Sequence, residues 1–77
     1  SQNVSDRFEQ KELVGAINEF LYGLSERDCN IFIRRYFYSE DTASIAERYK
    51  LKESNILMIL SRTRKKLQTY LKEEKYI

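Results

Sequence analysis

Four cations, Arg62, Arg64, Lys65 and Lys66, fall within five positions, directly after the longest apolar run of the chain, Ile56 to Leu60. Guanidinium groups present a flat fork of donors and ammonium groups a compact point charge, and both suit phosphate and other anions. Side chains able to make and break bonds are scarce by comparison. Histidine is absent and Cys29 is the single cysteine. His-based acid–base catalysis, a His–Cys metal cluster and an internal disulfide therefore have nothing to be built from. No glycine-rich phosphate loop and no pair of pocket carboxylates is evident. These features predict a binding protein without a cofactor rather than an enzyme, with Cys29 as a small packing group rather than a reactive thiol.

The net charge of +2 conceals an uneven distribution. Residues 1–30 carry three cations against six acids, and residues 31–77 carry eleven against six. A polyanion site belongs in the second part. The same Arg–Lys cluster could equally be a solvated surface ion-paired with Glu73 and Glu74, and charge alone leaves both readings open.

Helices must position these residues. The 77-residue chain has no proline and two glycines, a composition that favours one small all-α domain with short connections. A first helix is expected from about Asp6 to Tyr22, with Leu13, Ile17, Phe20, Leu21 and Leu24 on one stripe. Gly23 follows it as an expected left-handed cap. Ser25 begins a capping-box-like start, with Asp28 three residues on, for a second helix of about Glu26 to Phe37 that buries Cys29, Phe32, Ile33 and Tyr36. Asp41 is the expected cap of a short third helix, Thr42 to Tyr49, with Ile45, Ala46 and Tyr49 facing inward. The fourth helix is expected from about Glu53 to Glu74, burying Ile56, Leu60, Leu67 and Leu71 with Ile59, Thr63 and Tyr70 alongside. Residues 1–5 and 75–77 are expected to fray. No segment approaches the roughly 20 apolar residues that span a bilayer. The start "SQNVSDRF" has no signal-peptide pattern, so a cytoplasmic location and no membrane partner are expected.

The short third helix, tight turn and long fourth helix make a helix-turn-helix pattern over about residues 42–74. Ala46 suits the steep, close crossing of two helices, and Leu51 would plug the corner between them. "IFIRRYFYSEDTASIAERYKLKESNILMILSRTRKKLQTYL", preceded by "AINEFLYGLSERDCNIF", resembles region 4 of sigma-70-type RNA polymerase sigma factors, in particular the small extracytoplasmic-function-like members of Firmicutes. The features that carry the resemblance are "RRY" before the turn, "IAERY", the short turn, Glu53-Ser54 opening a helix, and the ending "SRTRKKL". It covers residues 12 to 74.

The resemblance implies a four-helix domain, without a wing, whose last helix enters the major groove of double-stranded promoter DNA at the −35 element. It implies docking on the β-subunit flap of core RNA polymerase, and restraint by an anti-sigma factor as a further partner. Nothing in the chain resembles region 2 of such factors, so the sequence is expected to be the C-terminal domain of a longer protein. On this reading Asn55, Leu57, Met58, Ser61 and Arg62 face bases. Arg62 is set for a bidentate guanine contact, Asn55 for adenine, and Leu57 and Met58 for thymine methyls. Arg35, Lys52, Ser54, Arg64, Lys65 and Lys66 face the backbone.

Three positions depart from the family pattern. Lys50 stands where many members have Gly, and Lys52 where a capping Ser is usual. Leu57 and Met58 stand on a face that is usually polar or basic. These two side chains project about 100° and 200° around the helix from Ile56, so they cannot share its buried side. An outward apolar pair also suits a protein-interaction module that binds a partner helix or a second copy. Another type of helix-turn-helix regulator remains a further alternative.

Overall fold

Two of the helix starts in this chain are set by side chains that accept from otherwise unpaired amides. The computed structural model describes the backbone of residues 4–77 and the side chains of residues 10–77. Among these residues it has four helices and no strand: α1 (Val4–Tyr22), α2 (Glu26–Tyr36), α3 (Thr42–Tyr49) and α4 (Glu53–Glu73). The protein is all-α, as its composition predicts. The Ser25 hydroxyl accepts from the Asp28 amide at 3.1 Å and opens α2. The Asp41 carboxylate accepts from the Ser44 amide at 2.7 Å and opens α3. The amide and hydroxyl of Ser44 hold the Asp41 carboxyl below the usual carboxylate range. The box at Ser25 is not reciprocal, since Asp28 pairs instead with Arg27 at 3.1 Å. Lys52 has the extended backbone of an N-cap but no side-chain bond to α4, because an ammonium cannot accept.

Helix ends diverge more from expectation. Gly23 has no positive φ. The amides of Gly23 and Leu24 turn instead to carbonyls three residues back, donating to those of Phe20 at 3.0 Å and Leu21 at 3.2 Å, so α1 closes by tightening its last turn. A left-handed residue does end α3, Lys50 (φ 56, ψ 42). There the Leu51 amide donates to Ala46 and the Lys50 amide to Glu47, a Schellman closure. At residues 75–77, where fraying is expected, the chain turns back on the end of α4. Lys75 is left-handed (φ 63), and the Tyr76 amide donates to the Leu71 carbonyl at 2.8 Å, closing α4 the same way. At the other end α1 begins at Val4, before the expected Asp6, and of the expected fraying at residues 1–5 the part at 1–3 lies outside the described residues.

The core is one cluster of Leu21, Ile31, Phe32, Ile45, Ala46, Ile56, Ile59 and Leu60, with Ile17, Phe20, Leu24, Cys29, Ile33, Tyr49, Leu51 and Leu67 packed around it. Ile31, Ile45 and Ile56 are completely buried. Removing one such side chain down to Ala costs about 2–5 kcal/mol, comparable with the whole stability of a domain this size. Ile31 was not expected in the core, and Tyr36, expected there, is 45% exposed. The reason is tertiary: α2 packs on both α3 and α4, which turns its buried side toward Ile31 and carries the hydroxyl end of Tyr36 to the surface.

The most extensive helix contact is between α3 and α4. Ala46, buried at that crossing, and Leu51, packed against the core from the turn, occupy the places the sequence implies. Of α4, Ile56, Ile59, Leu60 and Thr63 are buried, while Leu67, Tyr70 and Leu71 are half-buried. The Thr63 hydroxyl donates to the Ile59 carbonyl at 2.8 Å, so this polar group is satisfied within its own helix. The first half of α4 is thus anchored in the core while its second half rests more lightly, partly on α1 through Phe20 and Tyr70 (ring centroids 5.6 Å apart). No helix among the described residues is long and apolar enough to cross a membrane.

Candidate nucleic-acid interface

Burial of Ile56, Ile59, Leu60 and Thr63 fixes the rotation of α4. At about 100° per residue, the side opposite this stripe carries Ser54, Leu57, Met58, Ser61, Arg62 and Lys65. Leu57 is 52% exposed and Met58 42% exposed, and Ser54, Arg62 and Lys65 are also exposed. The apolar run is therefore divided between core and solvent. Ser61 is only half-exposed, as a short side chain flanked by longer ones one turn away. Asn55 is half-buried at the edge of the face, and Lys66 is exposed on that same side.

The remaining expected backbone contacts are placed less uniformly. Lys52 is exposed just ahead of α4. Ser54 shares its turn with Glu53, whose carboxylate accepts from the Thr42 hydroxyl at 2.5 Å and ties the start of α3 to the start of α4. A carboxylate in that turn opposes an anion at Ser54. Arg64 lies on the flank of α4 toward α2, where its guanidinium donates to the Tyr36 hydroxyl. Arg35 is exposed on α2, with its guanidinium donating to the Glu40 carbonyl at 3.3 Å.

An ion-paired surface built on Glu73 and Glu74 is not what the described residues form. Their three ion pairs are Arg27–Asp28, Arg34–Glu40 and Arg48–Glu40. Arg62, Lys65 and Lys66 take part in none of them and make no side-chain hydrogen bond among the described residues. Their charge is available to solvent. Beside them, Phe20, Lys65, Lys66, Thr69, Tyr70 and Glu73 line an open cleft of about 330 Å³ between α1 and α4. Burial there, reinforced by Glu19 and Glu74, raises the pKa of Tyr70.

Glu40 is a residue whose role the sequence does not announce. Left-handed Ser39 (φ 56) folds it back over the end of α2. Its carboxylate reaches Arg34 and Arg48, both at 3.3 Å, its carbonyl accepts from Arg35, and its amide donates to the Arg34 carbonyl at 2.9 Å. The Tyr49 hydroxyl, and beyond a smaller opposing effect of burial the Glu40 carboxylate, raise the pKa of Arg34. This one acid links the end of α2 to α3. The Tyr36 hydroxyl is the second such residue: "RRY" contains it, but periodicity assigned it to the core.

The chain matches no protein-family model, no curated protein and no solved structure. Its functional reading therefore rests on the residues and their arrangement.

Proposed function

We propose that this domain binds promoter DNA at the −35 element as region 4 of an RNA polymerase sigma factor, in the cytoplasm and without catalysis of its own. The observation that carries the reading is the outward face of α4, where Arg62 and Lys65, with Lys66 at the edge, stand beside Leu57 and Met58 without an ionic partner among the described residues. A helix of this width fits the major groove. Its buried side is rooted in the core over the same turns that would meet base edges, so the readout side chains stand on a rigid element.

In this reading Arg62 takes guanine O6 and N7, Asn55 pairs with adenine from the edge of the face, and Leu57 and Met58 pack on thymine methyls. Lys52, Lys65, Lys66, Arg64 and Arg35 hold phosphates. Ser54 is a weaker phosphate contact because of Glu53, and Ser61 has limited reach. Core polymerase, through its β flap, and an anti-sigma factor are the protein partners that the resemblance supplies. A second reading has its own support: two large apolar side chains exposed side by side suit a protein contact on the same face.

Selection from a random duplex library, followed by titration of the selected and a mixed-sequence duplex, tests the proposal. Arg62→Ala is expected to weaken the selected duplex by about 5- to 150-fold, the equivalent of about 1–3 kcal/mol, and the mixed one far less. Lys65→Ala should weaken both alike and lower the salt slope by about 0.9. Equal loss on both duplexes from Arg62→Ala removes its base-reading role. A chain that binds no duplex at any salt concentration leaves the protein-contact reading.

A further inference from the structure

We infer that Tyr36 and Arg64 form a two-residue clamp for one backbone phosphate, with Tyr36 as the positioning residue that aims the guanidinium; this rests on the DNA-binding reading above. The two residues are 28 positions apart, on α2 and α4, and the Arg64 Nη1 donates to the Tyr36 Oη at 2.5 Å. The Tyr36 ring is itself held, tilted 51° against the buried Phe32 with ring centroids 4.7 Å apart. The hydroxyl is therefore a fixed point at the surface, tied to the core through its ring.

The chemistry left over by this bond is that of an anion receptor. A phenol oxygen has one proton to give and two acceptor sites, and Arg64 occupies one of those sites. The Tyr36 O–H remains free to donate, and the guanidinium keeps its other N–H donors. Phosphate oxygens accept and do not donate, so donors converging from two helices on one point match them. Charge supports the same conclusion. Arg34 and Arg48 share the single Glu40 carboxylate, and Arg35 is turned onto the Glu40 carbonyl. Arg64 joins none of the described ion pairs. Like Arg35 it is oriented by the fold onto an uncharged oxygen, but Arg64 stands on α4 itself. Its place on the α2 flank of α4, beside the outward face rather than on it, is where the sugar–phosphate backbone runs when a helix lies in the groove.

The test is a double-mutant cycle on the full chain, read by fluorescence anisotropy with the selected and the mixed-sequence duplex. Tyr36→Phe keeps the ring on Phe32 and all charges and removes only the hydroxyl. It is expected to weaken both duplexes about tenfold, the lower end of what one hydrogen bond to a charged group contributes. In an Arg64→Ala background the same change should be nearly silent, because the clamp is already lost. Arg64→Lys, which keeps the charge without the fork, should lose its sensitivity to Tyr36→Phe in the same way. Thermal unfolding of Tyr36→Phe should match the parent. Parental binding by Tyr36→Phe, or an equal loss with and without Arg64, overturns the clamp while leaving the DNA reading intact. A parent that binds neither duplex overturns both.

Discussion

Replacing Lys50 by Gly should stabilise this protein, although it deletes an exposed side chain and adds no contact. Lys50 is held at φ 56, ψ 42 in the tight turn that ends α3. An L-residue with a Cβ pays roughly 1–2 kcal/mol for that conformation. Glycine pays nothing there but surrenders more freedom on folding, about 0.4–1 kcal/mol. The difference leaves a net gain of about 0.5–1 kcal/mol. The Lys50 amide donates to the carbonyls of Ala46 and Glu47, and glycine keeps both bonds. The ammonium belongs to no ion pair or side-chain hydrogen bond among the described residues, so nothing from the side chain offsets the gain. For a domain of this length the midpoint of thermal unfolding, followed by helical circular dichroism, should rise by about 3–6 °C. Lys50→Ala is the control, since alanine retains the Cβ and most of the strain, and its midpoint should stay near the parent's. A midpoint that falls or stands still for Lys50→Gly, or that rises equally for Lys50→Ala, refutes the claim that left-handed backbone strain is stored at this turn.

Two further outcomes test the framework around the candidate face. The Asp41 carboxyl titrates below its ordinary range because of its bonds to Ser44, so its contribution to folding is present above the unfolded pKa and is lost as pH falls through the folded one. Denaturant melts across the acid range should therefore show a steeper loss in the parent than in Asp41→Asn, which caps α3 at every pH; identical pH profiles would deny the cap this role. Leu57→Ser with Met58→Ser should leave the melting temperature nearly unchanged, given the exposure of both side chains. The pair of changes should alter library selection at A·T pairs if the face meets a groove, or abolish association with a protein partner if it meets a helix. A large loss of stability would show that these side chains pack inside the molecule.

Much of the architecture was legible because the local signals agreed with one another. Ser25 and Asp41 are short acceptors placed just before apolar periodicity, and both cap the helices they precede. Ile56, Ile59, Leu60 and Thr63 recur at helical steps and are buried, which by elimination exposes Leu57 and Met58. The misreadings came where two answers were locally acceptable. Gly23 could have been left-handed, but the last turn of α1 satisfies its carbonyls by tightening instead. On α2 the neighbours of Ile31 at helical steps, Arg27, Asp28, Arg34 and Arg35, are charged and point away from burial, and packing on α3 and α4 buries Ile31 while leaving Tyr36 exposed.

The candidate face divides the same way. Sequence alone determined that a cationic cluster would follow an apolar run on one long helix, because composition and a period of 3.6 residues require nothing beyond the helix itself. Tertiary structure decided which charges are spent and which remain. Glu40 draws in Arg34, Arg35 and Arg48 across a left-handed Ser39, and Tyr36 meets Arg64 across 28 residues. The bridge from Glu40 to Arg48 and the bond from Arg64 to Tyr36 depend on how the helices pack, which no local spacing encodes.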